Sequence, residues 1–314
     1  MDCILQEALK YKSMLRSILI SLTAESSYPI LGSLGRPAQA WFLKQVTRAN
    51  PALAQRLHDE QGLKPYTVST LLDEHGRPLQ AGDWLKPGQL CWLRITTLNE
   101  ELSTALQKKV IQRLPKRLTV YKMDFRVDDV YERREEHAWA SSTSFSDMAQ
   151  DAANATSDNS VRMEFASPTA FRSQGLDICL PIPGQVFRSL WMKWNAFCPE
   201  PMQLHELWPD FAEACLFVSE MTAVQTTEWV FAEGTRGHAT GFSGTVGFTL
   251  PRKNNLPEKW HSYYDGAAVV LQSLAHFAFY AGVGHHTTIG MGQARSLIPG
   301  KNRRESKQPI LYKK

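Results

Sequence analysis

The sequence predicts an α+β protein built from two tandem ferredoxin-like, RRM-like domains, each with the element order βαββαβ. The 314 residues are enough for two domains of about 150 residues, each with its own core. Strand and helix patterns follow in the same order in both halves. Between the halves lies a polar stretch, Ser146 to Ser160, in which few residues could anchor a core. We therefore predict domains over residues 1–155 and 156–300, followed by a basic tail over 301–314.

The first half begins with an apolar stretch from Met14 to Leu22, which is too short and, with Arg16, too charged to span a membrane, so we expect a strand. Asn50 and Pro51 form an N-cap and first-turn pair for a short helix that carries His58 at its end. The other elements expected here are a helix from Pro37 to Arg48, strands at Tyr66–Leu72 and Cys91–Thr97, a helix at Leu102–Leu114 and a strand at Leu118–Val127.

The second half repeats this order without visible sequence identity to the first. We expect a strand at Val161–Phe165, a turn at Ser167-Pro168, a helix at Val186–Phe197, strands at Ala214–Ala223 and Gly241–Leu250, a helix at Asp265–Ala281 and a strand at Ala294–Ile298.

Charge and cysteine content narrow the class of protein. The tail holds six basic residues and one acidic residue of a chain whose net charge is +4, which leaves the rest at about −1. Any surface for a nucleic acid is therefore a local patch. The five cysteines include no C-x-x-C pair, which argues against a disulfide framework and a zinc ribbon. We expect a cytoplasmic protein that has no cofactor, no metal and no membrane partner.

The segment from Gly282 to Gly292 contains four glycines and no acidic residue. Such a loop can point successive N–H groups at a phosphate. It follows a predicted helix and precedes a strand, which is the wrong order for a dinucleotide fingerprint, and it lacks the lysine of a P-loop. The alternative is structural, with Gly282 as a helix C-cap and the last two glycines, Gly290 and Gly292, in a bulge.

A G-x-G-x(5)-G-x-G loop before the last strand, in two ferredoxin-like halves, resembles the RAMP superfamily. Within it, the chain resembles the CRISPR-associated endoribonucleases that process precursor CRISPR RNA, the sixth core CRISPR-associated protein family. Three further segments carry this resemblance: Asn50–His58 with Lys64–Ser69, Phe165–Arg172 with its S-P-T-x-F pattern, and Gly241–Phe248.

The resemblance implies metal-independent cleavage of CRISPR repeat RNA. The ribose 2′-OH attacks the adjacent phosphate and leaves a 2′,3′-cyclic phosphate and a 5′-OH. His58 and Lys64 match the family's catalytic histidine and lysine. A histidine at a helix C-terminus suits a general acid, because the helix dipole favours the imidazolium, and a lysine can stabilise the phosphorane charge. Leu43 occupies the position of a tyrosine found in some relatives, so the base stays open among Arg36, His285 and a second histidine.

We expect RNA to contact the glycine loop and Arg36, namely Gly282, Gly284, His285, His286, Gly290, Gly292 and Arg36. Arg252 and Lys253, just after the glycine-bearing strand, are a second candidate patch for RNA. The expected partner is precursor CRISPR RNA, and both a homodimer and contacts with other CRISPR effector subunits stay open. The alternative function is that of a non-catalytic RAMP subunit that binds guide RNA inside an effector complex.

Overall fold

The structure, a computed structural model, describes residues 14–154, 159–231 and 237–297. The predicted basic tail and Ile298 lie outside the described residues. The described part consists of two βαββαβ units whose sheets are joined by shared packing. The sequence-based fold class, α+β with two ferredoxin-like domains, is confirmed.

The first unit is built on one sheet with strand order β3-β6-β1-β8-β7, in which β4 also pairs with β6 and β9 with β1. The first and third strands of the motif, β1 and β6, are central, as in ferredoxin-like folds. Its strands are β1 (Met14–Ala24), β2 (Tyr28–Pro29), β3 (Tyr66–Val68), β4 (Leu72–Asp73), β5 (Trp84–Leu85), β6 (Leu90–Thr97), β7 (Arg117–Val120), β8 (Met123–Tyr131) and β9 (Ser141–Ser144). Its helices are α1 (Gly35–Ala49), α2 (Pro51–Asp59), α3 (Glu100–Ala105) and α4 (Phe145–Asn154), and α3 continues as a π turn and a 3₁₀ turn to Arg113.

The second unit repeats this topology in a sheet of four strands ordered β13-β14-β10-β15. All of its strand pairs are antiparallel. Its strands are β10 (Ser160–Thr169), β11 (Phe171–Ser173), β12 (Leu176–Ile178), β13 (Phe217–Val230), β14 (His238–Thr249) and β15 (Ala294–Leu297). Its helices are α5 (Pro183–Phe197), α6 (Trp208–Cys215), α7 (His261–Tyr264) and α8 (Ala267–Ala281).

The two units share buried contacts. The guanidinium of Arg94, on β6, is buried and donates hydrogen bonds to the carbonyl oxygen of Phe279 and the side-chain oxygen of Gln293. Beside it, the Thr96 hydroxyl donates to the carbonyl oxygen of Tyr280 at 2.6 Å. Strand β6 of the first unit is therefore fixed to the end of α8 in the second.

Several local expectations about strands and turns were wrong. The single strand expected over Leu118–Val127 is a hairpin of β7 and β8, which turns at Tyr121 with φ of 58°. Ser167-Pro168 lies within β10, where a bulge between Phe165 and Thr169 shifts the register, so no turn forms there. The strand expected over Tyr66–Leu72 is interrupted, so that β3 and β4 pair separately with β6.

The polar stretch Ser146 to Ser160 does not lack core residues. Most of its first part forms α4, whose Met148 and Ala152 are buried. Phe145 at the start of the helix packs against Trp194 and Phe277 of the second unit, with ring centroids 4.9 and 5.5 Å away. One apolar face among polar residues is sufficient for a helix that packs on one side only.

Candidate functional site

His58 lies in the last turn of α2 with its side chain exposed. The helix begins as the sequence predicts, because the Asn50 side chain accepts a hydrogen bond from the Leu53 N–H at 3.2 Å and Pro51 follows it. Leu53 and Leu57 are buried and fix the orientation of the helix on the first unit. His58 is thus an accessible imidazole on an anchored helix.

Lys64 binds the C-terminal end of the same helix. Its ammonium donates to the carbonyl oxygen of Leu57 at 2.6 Å and to that of Glu60 at 2.5 Å. These are carbonyls that a helix end leaves without intrahelical partners. Two of the three N–H donors of Lys64 are used in this way, and the cation lies beside the helical turn that carries His58. The structure therefore brings the two predicted catalytic residues to one helix end.

Leu43 contributes no polar group to this region, because its side chain packs against the core of the first unit. The position that a tyrosine occupies in some relatives is therefore apolar in this chain. The general base is not supplied from this position.

Most N–H groups in the first part of the glycine loop are hydrogen-bonded within the protein. The N–H of Gly282 donates to Ala278 O at 2.9 Å, that of Val283 to Gly292 O at 2.8 Å, that of Gly284 to the Ser189 hydroxyl at 2.9 Å and that of His285 to Ala170 O at 3.0 Å. A phosphate cradle made of these four groups, which was the physical reason given for phosphate binding, is therefore not formed.

The glycines are required for close approach of backbones. A Cβ on Gly284 would lie 2.2 Å from the carbonyl oxygen of Ala170, and one on Gly290 would lie 2.7 Å from the Thr70 nitrogen. Both glycines also have positive φ, of 78° and 101°. Outside the loop, Gly35 approaches Ile289 in the same way. The loop is thus wedged between α1, the segment after β3 and the bulge in β10.

Exposure divides the residues that were expected to bind RNA. Gly282, Gly290 and Gly292 are buried, so this conformation offers RNA almost no surface at these three positions. Gly284 and His285 are half-buried, and His286 is exposed. The surface that the loop presents is therefore mainly that of its two histidines.

The two histidines lie in a cluster that also includes Arg36. Their rings are 4.2 Å apart between centroids, and the ring of His286 contacts that of Phe231 edge-on at 5.0 Å. The Arg36 guanidinium lies over the same Phe231 ring at 5.0 Å, in cation–π geometry. His286 itself has φ of 57°, in the left-handed region that a side chain other than glycine rarely adopts. The backbone of the loop thus holds the two histidines beside Arg36.

Burial lowers the pKa of His285 to about 4, and the neighbouring His286 adds to this effect. Burial likewise lowers the pKa of His286. His285 Nε2 lies 3.5 Å from the carboxylate of Asp177, which accepts a hydrogen bond from Arg172 at 2.8 Å. Because His285 is neutral at pH 7, its contact with Asp177 is not an ion pair under that condition. The histidines offer neutral imidazoles, and Arg36 and Arg172 supply the positive charge.

Arg252 and Lys253 are not part of this cluster. The cluster lies near the start of β14, since Phe231 N–H donates to Gly237 O just before this strand begins. Arg252 and Lys253 follow its other end, after 12 residues that span roughly 35 Å. Lys253 there forms an ion pair with Asp265 at 3.2 Å. The structure therefore separates these two residues from the loop.

Sequence reasoning missed Phe231 and Asp177, which support the histidines, and Lys193, which lies beneath the loop. Arg172 was within the S-P-T-x-F-R segment but was not assigned a role.

A cavity of about 560 Å³ lies between the units, and its lining includes Trp92, Trp139 and Gln293 but neither His58 nor the loop histidines. Among the described residues, no helix is long and apolar enough to cross a membrane, and no group of three His, Cys, Asp or Glu side chains is placed to hold a metal.

Two family models match the chain. The model described as Cas6 N-terminal domain matches residues 14–150, and the model described as CRISPR-associated endoribonuclease Cas6 matches residues 163–294. The chain belongs to the Cas6 family of CRISPR-associated endoribonucleases. The resemblance inferred from the sequence is confirmed.

Solved structures agree with this assignment. A Cas6 product complex is 25% identical over 90% of this chain and 100% of its own, with a TM-score of 0.72. Cas6 of Thermus thermophilus is 25% identical over 91% of this chain and 100% of its own, with a TM-score of 0.64. A Cas6-related protein from Pyrococcus furiosus, 11% identical over 91% of this chain and 99% of its own, shares the fold with a TM-score of 0.54. No curated protein matches this Cas6 chain in a sequence comparison.

Proposed function

We propose that this Cas6 protein cleaves repeat RNA in precursor CRISPR transcripts without a metal ion, with His58 and Lys64 at the cleavage site. The observation that carries the proposal is the exposed imidazole of His58 on the helix end to which the Lys64 ammonium is bound. The family assignment and a related structure described as a Cas6 product complex support RNA as the substrate.

In the proposed reaction the 2′-OH attacks the adjacent phosphorus, and the bond to the 5′-oxygen of the next nucleotide breaks. The products are a 2′,3′-cyclic phosphate and a 5′-OH. His58 donates a proton to the leaving 5′-oxygen, and the remaining N–H of Lys64 stabilises the charge on the phosphorane. The guanidinium of Arg36 has no acceptor for the 2′-OH proton, so the base stays open between His285 and a second histidine.

We further propose that Gly284, His285, His286 and Arg36 form a second RNA contact, which reaches the scissile phosphate if His285 is the base and lies further along the strand if it is not. Strand β3 runs between the two regions, since Lys64 precedes it and Thr70, which follows it, lies against Gly290. Six residues of extended chain span at most about 20 Å, so one RNA strand can reach both. Arg252 and Lys253 would contact RNA only at a third, separate place.

The proposed domain boundary near residue 155 is supported by the strand pairing, because β9 pairs within the sheet of the first unit and β10 within the sheet of the second.

The test is cleavage of the cognate repeat RNA in EDTA by the wild type, by His58→Ala and by His75→Ala. His75 is a matched control, because it is another exposed histidine of the first unit. We expect cleavage by wild type and His75→Ala and a loss of about 10²- to 10⁴-fold in His58→Ala, the usual contribution of a general acid or base. RNA binding by His58→Ala is expected to be retained.

Each part of the proposal has its own contrary result. Absence of cleavage by the wild type in EDTA that is restored by a divalent cation would refute metal independence. Binding without cleavage under both conditions would favour the non-catalytic subunit. Cleavage of an RNA with a single 2′-deoxy at the cut site would exclude attack by the 2′-OH, and normal cleavage by His58→Ala would move the site elsewhere.

A further inference from the structure

Lys193 lies on α5 beneath the glycine loop and is only 5% exposed. Its ammonium donates to three carbonyl oxygens at the start of the loop, those of Ala281 at 3.2 Å, Gly282 at 3.0 Å and Gly284 at 3.1 Å. Ser189, one helical turn earlier on α5, accepts the hydrogen bond of the Gly284 N–H at 2.9 Å. One face of α5 therefore holds both the carbonyl and the N–H groups of this turn.

The three carbonyl acceptors match the three donors of an ammonium group. An apolar side chain of similar length, such as methionine, would leave these carbonyl oxygens buried without a hydrogen-bond donor. An unsatisfied acceptor is costly in an apolar environment. Val283 within the turn and His285 after it are also constrained, because the Val283 N–H donates to Gly292 O and the His285 N–H to Ala170 O. Lys193 is thus the polar centre around which the turn closes.

Burial lowers the pKa of Lys193 to about 7. The charged and titratable groups of the elements around α5 are Asp147 and Asp151 of α4, Arg188 on α5 itself, Asp210, Glu213 and Cys215 of α6, His276 and Tyr280 of α8, Arg172 and Asp177 of the β11–β12 hairpin, and the loop histidines. Arg188 pairs with Asp210 and Glu213 at 3.3 and 3.6 Å, and Asp177 pairs with Arg172. The Lys193 ammonium is therefore held by carbonyl dipoles.

We propose that Lys193 is a positioning residue for RNA binding, whose protonated ammonium fixes the Gly282–Gly284 turn and thereby the orientation of His285 and His286. A neutral amine keeps only two donors, and its lone pair opposes the third carbonyl. Deprotonation consequently loosens the turn. The RNA part of this inference rests on the proposed function, whereas the effect of Lys193 on the two histidines does not.

The sign of the pH effect separates this role from a purely structural one. In the folded protein Lys193 loses its proton near pH 7, whereas in the unfolded chain a lysine does so near about 10.4. Between these values the unfolded state binds more protons, so global stability rises with pH from this group. RNA affinity is expected to fall over the same range, because the turn has lost a donor. Stability and affinity thus change in opposite directions.

The experiment compares wild type, Lys193→Met, Lys193→Arg and the control Arg188→Met. Arg188 is on the same helix, and its pairs with Asp210 and Glu213 are on the surface. The probe is cognate repeat RNA with a 2′-deoxy at the cut site, which permits binding to be measured without cleavage. We expect Lys193→Met to weaken binding about tenfold at pH 6 and to remove the fall in wild-type affinity between pH 6 and pH 8. Arg188→Met is expected to retain the wild-type pH profile.

The second readout is the imidazole NMR signals of His285 and His286 in the free protein. Lys193→Met is expected to shift or broaden both signals, while the signal of His75 stays unchanged. Lys193→Arg stays charged, so its RNA affinity is expected not to change between pH 6 and pH 8. Unchanged loop-histidine signals in Lys193→Met would overturn the positioning role, whether or not RNA binds. Changed signals together with wild-type RNA affinity would overturn its connection to RNA. Failure of the wild type to bind repeat RNA would refute the proposed function, and the histidine signals would still decide the first point.

Discussion

The contact between Gly35 and Ile289 provides a test of how closely the two units pack. Gly35 is the first residue of α1, and a Cβ built on it would lie 1.8 Å from the carbonyl oxygen of Ile289 and 2.4 Å from its carbonyl carbon. Both atoms belong to the backbone and cannot rotate away. A normal contact of this kind is above 3 Å, so Gly35→Ala must separate α1 from the loop by more than about 1 Å.

The two effects of this substitution have opposite signs. Alanine in a helix is more favourable than glycine by roughly 0.5–1 kcal/mol, because glycine loses more backbone entropy on folding. Forcing an extra methyl group into a packed interface costs typically 1–3 kcal/mol, and the contact with Ile289 is short enough for the upper part of that range. We therefore expect Gly35→Ala to lower the free energy of unfolding by about 2 kcal/mol.

Gly184→Ala is the matched control. Gly184 lies in the first turn of α5, and its Cβ would meet the Cβ of Glu213 at 2.9 Å, so α5 and α6 must move apart by a few tenths of an ångström, much less than Gly35→Ala requires. We expect this variant to change stability by less than about 0.5 kcal/mol, as the propensity gain offsets the small shift. Urea unfolding of both variants measures the difference. If Gly35→Ala is as stable as the wild type, the close approach of the loop to α1 does not exist.

Three further predictions concern single side chains. Lys64→Met is expected to destabilise the last turn of α2 by about 1 kcal/mol, because it removes two hydrogen bonds to terminal carbonyls. Amide hydrogen exchange should therefore speed up more in this turn than in α1. An equal change in the exchange rates of the two helices would refute the contact. Burial, with Arg94 and Arg295 as further causes, lowers the pKa of His137 to about 4, so the folded protein holds it neutral while the unfolded chain takes up a proton near about 6.5. The free energy of unfolding should therefore fall as the pH drops from about 6.5 towards 4, and it should fall less steeply in His137→Gln. Equal pH slopes of the free energy of unfolding in the wild type and His137→Gln would contradict the burial of this histidine. Arg94→Met removes buried hydrogen bonds from a charged donor to Phe279 and Gln293, and we expect it to lower the free energy of unfolding by about 3 kcal/mol. A urea midpoint equal to that of the wild type would exclude this.

The parts of the fold that the sequence predicted well are those set by local interactions. Asn50 and Pro51 specify a helix start by a cap and a fixed φ, and the structure shows the helix beginning at Pro51. The parts that were wrong either carry no local sequence signal or depend on partners distant in sequence. Tyr121 turns the chain with a positive φ although no glycine marks the turn, and α4 is stable because a face of the second unit covers it.

The candidate site shows the same limit. His58 and Lys64 were found through the family resemblance, but the hydrogen bonds of Lys64 to the end of α2 were not foreseeable from their spacing. The glycine loop was recognised as important for a reason that the structure does not support. Its N–H groups bind carbonyls and a hydroxyl of the protein, and its glycines permit contact with Ala170 and with Thr70 in the segment after β3. A glycine pattern in the sequence shows where the backbone lacks Cβ atoms. It does not show which neighbouring segment packs so closely that a Cβ atom would not fit.

The loop fixes the relative position of the two units through these close contacts, and under the proposed function that position matters for RNA processing. Thr70 of the first unit lies against Gly290 of the second, and Lys64 lies six residues before Thr70 at the helix end that carries His58. Any change that moves the loop away from α1 or from Thr70 changes the distance between His58 and the loop histidines. Under the proposed function an RNA strand that contacts both regions must fit that distance, so substitutions at Gly35 or Gly290 should reduce cleavage by changing it.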